Sequence, residues 1–369
     1  KRNSGQDDAN KVIVATMLVC CISVLAFLAL MAIGLPHYLP VMAAGFGAQK
    51  LAATTFLWYS LIPMNVIGGM SLILAGALNA EEKFGFAALS PILTSAATVI
   101  ALVAIGRKYG AFSLAVGVVA GSVLEFIFLF WALRQLGVHL PFIFAIRVNG
   151  MRQVLMNALP VFGSAIAANF ITVIEQSFAA RLKPGDVAAL GFGHRTISLV
   201  LGLMSMAVGS AVLPYFSKLA AARDWEGLKK VFLTNIYKFL LPITLLGSTI
   251  LFLFSQPLIK LLFQRGAFTP QATQSVAEIQ AMFALQLPAY AINIVGVRLL
   301  SAVQSSDRII YTAIIMLTMS FCLNFYLSPI LGVKGIALSN TISYYIAGTV
   351  TMVLVYRALS EKINEGKSN

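Results

Sequence analysis

The residues best suited to chemistry are ionisable side chains inside long apolar segments. Glu125, Glu175, Arg195 and Arg298 are four such residues. A charge near the centre of a bilayer costs roughly 2.5–3.5 kcal/mol on insertion scales, so its presence indicates a function. The alternative for each is a structural role. Arg298 lies near the end of its segment, where its head group can reach the membrane surface. For Glu125, a protonated carboxyl hydrogen-bonded to a neighbouring helix competes with a role in transport.

Four oxygen-bearing residues are predicted to lie at a similar depth. Glu175, Asn324 and Asn340 each stand a few residues from the same end of their segments, roughly 10–12 Å below the surface at 1.5 Å per residue. Ser320 lies one turn below Asn324 on the same helix face. A carboxylate, two amide oxygens and a hydroxyl suit a small hard cation such as sodium. A polar cluster whose members satisfy one another is the alternative, and so is a proton carried by Glu175.

Arg195 is predicted at the same depth, close to Glu175. A guanidinium can hold a phosphate group through two parallel hydrogen bonds, which a lysine cannot do. Arg195 is therefore the candidate contact for a phosphate-bearing substrate. An ion pair between Glu175 and Arg195 is the alternative.

The segments that carry these residues indicate an all-α polytopic membrane protein. Apolar residues make up 59% of the chain and charged residues 11%, against about 25% charged in soluble domains. Ten segments have the roughly 20 apolar residues that a bilayer-crossing helix requires. They are residues 11–36, 51–78, 84–106, 110–135, 157–182, 187–214, 231–256, 273–303, 308–330 and 335–359.

The net charge of +13 is explained by topology rather than by a nucleic-acid partner. When the loops are numbered alternately, about twice as many lysines and arginines fall on the side that contains both chain ends. The positive-inside rule then places both ends in the cytoplasm. Cys20, Cys21 and Cys322 lack metal-ligand spacing, and no nucleophile, zinc or phosphate-loop motif of an enzyme appears. These observations indicate no enzyme nucleophile or metal site, and we expect no bound cofactor and no nucleic-acid partner.

Two parts of the chain resemble each other. Residues 76–92 align with 301–317, Pro63 with Pro288, and Gly110 with Gly335. The last four segments thus repeat the first four, while two further segments precede the second set. We predict two six-helix lobes related as parallel repeats, the first without its first two helices, as in one class of transporters. The predicted organisation is an N-lobe over 1–136, an interfacial linker over 137–156, a C-lobe over 157–360 and a polar tail over 361–369.

Four stretches resemble the MurJ/MviN-type lipid II flippases of the multidrug and oligosaccharidyl-lipid exporter superfamily. The residues LLFQRGAFTPQAT resemble the family signature L-F-E-R-G-A-F. Two departures are His194, where the family has aspartate, and Ser198, where some members have an acid. The four stretches are residues 261–273, 76–93, 188–221 and 328–340.

The resemblance implies a bacterial inner-membrane flippase for an undecaprenyl-pyrophosphate-linked peptidoglycan precursor, lipid II, working by alternating access as a monomer among membrane lipids. It implies a cavity with cationic residues for the pyrophosphate; Arg195, Glu125 and Arg298 are the candidate substrate contacts. It also implies a sodium site, which falls on Glu175, Ser320, Asn324 and Asn340, with proton coupling as an alternative. The other functions considered are a flippase for another lipid-linked polysaccharide precursor, a cation-coupled multidrug exporter and a non-transporting membrane protein.

Overall fold

The computed structural model describes residues 2–136, 169–303, 305 and 308–368, and within these ranges the chain is helical without strands. Residues 169–180 are helical and are called α6. The other helices are α1 Arg2–Met42, α2 Ala48–Ser60, α3 Ile62–Ala80, α4 Phe84–Tyr109, α5 Phe112–Gln135, α7 Asp186–Ala221, α8 Trp225–Asn235, α9 Leu241–Leu253, α10 Ser255–Phe263, α11 Pro270–Ala284, α12 Leu287–Ala302, α13 Ile309–Leu331 and α14 Val333–Ser368; a π-helical turn, Ile236–Leu240, joins α8 to α9.

Among the described residues, eight helical stretches are long and apolar enough to cross a membrane, or nine if α11 and α12 form one broken span. These nine coincide with nine of the ten predicted segments. Most of the tenth, 157–182, and all of the predicted linker, 137–156, lie outside the described residues, so the count of ten stays a prediction. The predicted polar tail from residue 361 continues α14 as helix up to Ser368.

Large apolar side chains on the helix surfaces remain exposed, as expected for helices that face lipid. Val103, Leu203 and Ile330 each expose 70% or more of their surface. Soluble proteins rarely expose large contiguous apolar patches. A surface of this kind therefore agrees with the polytopic membrane protein that the sequence predicts.

The chain divides into two compact units, the first comprising Lys1–Val41 and Phe46–Val161 and the second Met42–Gly45 and Phe162–Asn369. In unit 1, Leu74 and Leu78 of α3 are buried against Leu129 and Leu133 of α5. In unit 2, one core cluster includes Phe216, Phe232, Leu299 and Leu359, and a second includes Ile197, Phe283, Leu287 and Ile336.

Two glycines bring α4 and α5 of unit 1 into close contact. A Cβ atom added at Gly117 would lie 2.6 Å from the Thr98 Cα, and one at Gly121 would lie 2.6 Å from the Thr94 Cα. Small residues allow such approach of membrane helices, where van der Waals contact takes the place of hydrophobic driving force. The pairing of these two helices therefore depends on the absence of a side chain at both positions.

The span formed by α11 and α12 is broken, with a bend of 43° between the two helices. Pro288 stands in the first turn of α12 and has no N–H to continue the helical hydrogen bonds. Carbonyl groups freed at a break inside a membrane must find other donors. The donors are Ser248 Oγ to the Ala284 carbonyl (2.9 Å), Thr341 Oγ1 to the Met282 carbonyl (2.7 Å) and the Tyr345 hydroxyl to the Leu285 carbonyl (3.1 Å).

The prolines and glycines of the predicted repeat correspond only in part. Pro63 and Pro288 both stand in the first turn of the second helix of a pair, after breaks at Leu61 and at residues 285–286. Gly110, however, ends α4 with a φ of 55° and Gly332 ends α13 with a φ of 60°. The turn equivalent of Gly110 is thus Gly332 rather than Gly335, because α13 is shorter than α4. The repeat as a whole stays a prediction.

In the stretch LLFQRGAFTPQAT, Gly266 predicts a tight reversal and Thr269 with Pro270 predicts the start of the next helix, and the structure has this turn. Gly266 adopts a φ of 61°, which permits the reversal. Thr269 is the N-cap of α11 and accepts a hydrogen bond from the Ala272 N–H, with Pro270 as the first helical residue. Arg265 donates from Nη2 to the Leu261 and Leu262 carbonyls at the end of α10, at 3.2 Å each.

The two phenylalanines of this stretch pack against a third on α7. Ring centroids lie 5.2 Å apart for Phe192 and Phe263, 5.5 Å for Phe192 and Phe268, and 6.0 Å for Phe263 and Phe268. Aromatic pairs at such distances stabilise a fold beyond the area they bury. We call these three residues the phenylalanine clasp. It attaches the loop between α10 and α11 to the beginning of α7.

Candidate functional site

The two polar residues brought together most directly are Glu175 of α6 and Asn340 of α14. Both are buried, and the Asn340 Nδ2 atom donates a hydrogen bond to the Glu175 Oε1 atom. The sequence predicts only that Glu175 and Asn340 lie at a similar depth, not that their side chains meet. Asn340 follows a helix start at Val333 by two turns, so the turn at Gly332 sets its height.

Ser320 and Asn324 form a second buried pair, one turn apart on α13. Both side chains are inaccessible to solvent, and the Asn324 Nδ2 atom donates to the Ser320 Oγ atom at 3.3 Å. Residues four apart share a helix face, as the sequence analysis expects. All four members of the predicted sodium site are therefore buried polar residues joined as two hydrogen-bonded pairs.

Two acceptor atoms of this set have no hydrogen-bond donor within the described part of the chain. They are the side-chain amide oxygens of Asn324 and Asn340, each shielded from solvent. Buried acceptors without partners are uncommon in folded proteins and destabilise them. Each amide donates one N–H to a neighbouring oxygen, while its own oxygen accepts no hydrogen bond. A set of carboxylate, amide and hydroxyl oxygens fits a hard cation.

The helices that carry these residues pack closely around them. Ile171 of α6, Met316 of α13 and Ala347 of α14 form one small apolar cluster. The rings of Phe178 and Phe321 meet edge to face at 5.8 Å on α6 and α13. Apolar side chains therefore hold the three helices together close to the polar pairs. No group of three or more histidine, cysteine or acidic side chains occurs among the described residues, so a transition-metal site is not indicated there.

Two tyrosines that the sequence does not single out lie near the charged residues of unit 2, Tyr344 near Glu175 and Tyr290 near Arg298. Tyr344 of α14 interacts electrostatically with Glu175, and its ring meets that of Tyr290 at 5.6 Å. Tyr290 of α12 lies near enough to Ser205 and Arg298 to interact with both. Tyrosines in apolar helices give no distinctive sequence signal, because they also serve as ordinary packing residues.

Arg195 and Arg298 occupy different environments within unit 2. Arg195 is exposed on α7 and makes no ion pair with Glu175, whose carboxylate is engaged by Asn340. Arg298 is partly buried on α12, and its Nε atom has no hydrogen-bond acceptor among the described residues. The predicted alternative of a Glu175–Arg195 ion pair is therefore wrong in this structure. Both guanidinium groups retain donors for an anion.

Glu125 lies in unit 1, where it joins α5 to α4. Its carboxylate accepts hydrogen bonds from Ser90 Oγ at 3.0 Å and Thr94 Oγ1 at 2.7 Å. The hydrogen-bonded carboxyl that the sequence analysis offers as one alternative is thus the observed arrangement. A direct contact between Glu125 and a substrate stays a prediction.

Comparison with known proteins identifies the family. The family model of the lipid II flippase MurJ matches residues 1–367. The chain belongs to the lipid II flippase MurJ family. The resemblance seen in the sequence is therefore confirmed, and MurJ proteins are membrane transporters rather than enzymes.

The chain spans little more than half the length of the first curated MurJ relatives that it matches. It is 27% identical to the probable lipid II flippase MurJ of Rickettsia prowazekii over 73% of this chain and 53% of that protein. It is 27% identical to that of Rhizobium tropici over 86% of this chain and 60% of that protein. The lipid II flippase MurJ of Burkholderia cenocepacia is 26% identical over 92% and 67%.

Solved structures of MurJ and of related transporters share this fold. An inward closed MurJ structure matches with a TM-score of 0.77 and 21% identity over 96% of this chain and 75% of the other. An inward-facing multidrug resistance MATE family transporter of the MOP superfamily matches with a TM-score of 0.80 and 14% identity over 98% and 84%. At such identities the likeness concerns the fold alone.

Proposed function

We propose that this protein transports lipid II, the undecaprenyl-pyrophosphate-linked precursor of peptidoglycan, across the bacterial inner membrane by alternating access. The observation that carries the proposal is the match of the MurJ family model to residues 1–367. Curated relatives from several bacteria bear the name lipid II flippase. Membership in this family favours a lipid-linked substrate over the amphipathic cations of a multidrug exporter and over a non-transporting protein.

Arg195 and Arg298 are the proposed contacts for the pyrophosphate. Arg195 is exposed and has no ion pair among the described residues, so its guanidinium can turn toward an anion. Arg298 holds a buried Nε donor without an acceptor, which a phosphate oxygen would supply. A second phosphate could be bridged in the same way, because each guanidinium has five N–H donors. In unit 1, the Glu125 carboxylate accepts hydrogen bonds from Ser90 and Thr94, and its contact with a substrate stays a prediction.

The buried pairs of unit 2 are the proposed ion site, formed by Glu175, Ser320, Asn324 and Asn340. The orphaned amide oxygens of Asn324 and Asn340 support a cation such as sodium. A bound cation would neutralise the Glu175 carboxylate and draw α6, α13 and α14 together. An alternative coupling, in which Glu175 alone takes up a proton, leaves the Asn324 amide oxygen without a donor.

The proposed orientation places both ends of the chain in the cytoplasm, because the loops on that side carry most of the lysines and arginines. The beginning of α6 and the end of α7 then lie toward the cytoplasm. Arg195, in the third turn of α7, would stand nearer the opposite surface. We further propose that the protein functions as a monomer among membrane lipids.

The test is a flipping assay with the natural protein in liposomes that contain fluorescent lipid II. We expect Arg195→Ala to lower the flipping rate about tenfold or more, the effect of one lost charge-assisted contact. Arg195→Lys should restore only part of the rate, because lysine cannot form the two-pronged contact. The matched control is Arg181→Ala, another exposed arginine, whose guanidinium lies over the Phe178 ring. Unchanged flipping by Arg195→Ala at equal membrane levels would disprove the assignment.

One departure from the family pattern supports a different cargo, another lipid-linked polysaccharide precursor. His194 stands where the family has aspartate, and its ring packs edge to face on Phe283 at 5.3 Å. A flippase for another lipid-linked polysaccharide precursor would meet a less acidic surface beside Arg195. The same liposomes loaded with an undecaprenyl-pyrophosphate-linked sugar without the peptide distinguish the two cargoes. Faster flipping of that lipid than of lipid II would favour the alternative.

A further inference from the structure

A cavity lies in unit 2 where α8 begins and α14 ends. Its volume is about 480 Å³. The helix α8 and the last turns of α14 form its walls. The residues that line it include Lys229, Lys230 and Leu233 of α8 and Ser360, Ile363 and Asn364 of α14.

The charge of the cavity is positive. Lys229 holds its ammonium group 4.2 Å from the centroid of the Tyr356 ring, which fixes the side chain at the wall of the cavity. Lys230 is exposed and has no anionic partner among the described residues. Glu226 also lines the cavity but is engaged in an interaction of its own. The ammonium groups of Lys229 and Lys230 thus outnumber the Glu226 carboxylate, which already has an interaction partner.

The remaining polar atoms suit a phosphate group. Each ammonium offers three N–H donors, and the Ser360 hydroxyl and the Asn364 amide add donors from the opposite wall. Phosphate oxygens are hydrogen-bond acceptors, and ammonium, hydroxyl and amide groups can donate to them. A cation would instead meet two like charges.

The depth of the cavity suits a lipid head group. Lys229 and Lys230 lie in the first two turns of the span Trp225–Leu253, and Ser360 and Asn364 lie in the last turns of the span Val333–Asn364. Both ends are therefore near the level at which the bilayer meets water. A polar head group at this level would continue into the bilayer as glycerol and acyl chains.

Apolar side chains stand on the bilayer side of the lysines. Leu233 lies one turn deeper than Lys229, and Tyr356 one turn deeper than Ser360. Tyr356 is 57% exposed, as is typical of the aromatic residues that stand at membrane interfaces. A soluble phosphate would contact only the lysines, whereas a phospholipid would contact the lysines with its phosphate and the apolar side chains with its acyl chains.

We propose that this cavity binds the phosphate group of an anionic phospholipid, such as phosphatidylglycerol, between the two lysines and the polar end of α14. Basic pockets between membrane helices bind such head groups on the cytoplasmic side, which is the side that the proposed orientation gives this end. The site is separate from the residues assigned to substrate and ion, so it does not depend on the transport proposed above.

Native mass spectrometry of the natural protein in detergent tests the proposal, with phosphatidylglycerol, phosphatidylethanolamine and inorganic phosphate added in separate titrations. We expect one phosphatidylglycerol to bind more tightly than phosphatidylethanolamine, with inorganic phosphate competing only weakly. The double variant Lys229→Gln with Lys230→Gln should bind phosphatidylglycerol about tenfold less tightly, since each lysine at a membrane surface contributes measurably to anionic lipid binding.

Two further variants separate the site from general surface charge and from misfolding. Lys238→Gln removes an exposed lysine on the same helical stretch that does not line the cavity, and it should weaken binding by less than about twofold. Asn364→Trp keeps every lysine but fills the cavity from an exposed position, and it should weaken binding as the double variant does.

Three results would overturn the proposal. They are unchanged phosphatidylglycerol binding in both cavity variants, an equal loss in Lys238→Gln, and displacement of the lipid by inorganic phosphate at matched concentrations. The last result would identify a site for soluble phosphate. Selective lipid binding that disappears in both cavity variants supports the proposal, whatever the flipping assay shows.

Discussion

Asn340 donates a hydrogen bond to the buried carboxylate of Glu175, and its own amide oxygen is left without a donor in the described structure. This arrangement differs from an ordinary buried polar pair, in which both partners are satisfied. The same is true of Asn324, which donates to Ser320 and keeps a free oxygen. Both amides thus present acceptors to the interior of unit 2.

Sodium should stabilise the protein through these acceptors. At a sodium concentration ten times the dissociation constant, we expect the free energy of unfolding to rise by about 1.4 kcal/mol relative to choline. Thermal unfolding in detergent measures the difference. Glu175→Gln and Asn340→Leu should abolish it. Glu278→Gln, which removes an exposed carboxylate paired with Lys334 at 2.5 Å, should leave it unchanged. A sodium effect that persists in Glu175→Gln would remove the ion site from these residues.

Arg298→Met should make the substrate-free protein more stable. The Nε atom of Arg298 is a buried donor without an acceptor, and an apolar side chain of similar length removes that cost, about 1 kcal/mol. The same variant should bind lipid-linked pyrophosphate less tightly. Unfolding in denaturing detergent and a lipid-binding titration measure the two effects. Arg357→Met, at an exposed arginine, is the control and should change neither. Loss of stability in Arg298→Met would mean that the Nε atom is satisfied in solution.

Gly266→Ala should destabilise the turn of the signature stretch by about 1 kcal/mol, because alanine is strained at positive φ. Gly247→Ala is the matched control, since Gly247 lies within helix α9 and an added Cβ meets no atom there. That variant should be neutral or slightly stabilising. Thermal unfolding of the two variants side by side gives the comparison; equal melting temperatures would contradict the assigned strain.

Gly121→Val should separate α4 from α5 and cost about 1–3 kcal/mol through overpacking. An added Cβ would lie 2.6 Å from the Thr94 Cα, and the neighbouring backbone cannot move independently of its helix. The bonds from Ser90 and Thr94 to Glu125 should weaken at the same time. Gly76→Val, where nothing lies within reach of an added Cβ, is the control for β-branching in a helix. The measurement is the expression level and thermal stability of the two variants; equal values for Gly121→Val and Gly76→Val would contradict the prediction.

The sequence predicts the spans and the signature turn well, for a physical reason. Length and apolar composition are sufficient to recognise a membrane helix, and Gly266, Thr269 and Pro270 each have a narrow conformational preference. Pro288 predicts a bend in this span, because a proline removes a helical hydrogen bond, but the groups that satisfy the break between α11 and α12 were not predicted. Its carbonyls are satisfied by Ser248, Thr341 and Tyr345 from other helices, and such partners cannot be read from the local sequence.

The sequence predicts which residues form the candidate site, but not which of their side chains are in contact. Common depth follows from residue count along a helix, and this placed Glu175 near Asn340. Which side chain meets which depends on helix rotation, which a uniformly apolar sequence leaves undetermined because no polar face marks it. For this reason an ion pair of Glu175 with Arg195 stayed open as an alternative, whereas Asn340 holds that position. The interactions of Tyr344 with Glu175 and of Tyr290 with Arg298 were not predicted for the same reason, since they also depend on helix rotation.

The phenylalanine clasp has a consequence for substrate recognition. Phe192 stands one helical turn before Arg195 on α7, so the rings of Phe263 and Phe268 restrain the rotation of that turn about the helix axis. The direction in which the Arg195 side chain leaves the helix is then set by a loop about seventy residues further along the chain. On the proposed role of Arg195, substitutions in that loop should alter the affinity for the pyrophosphate.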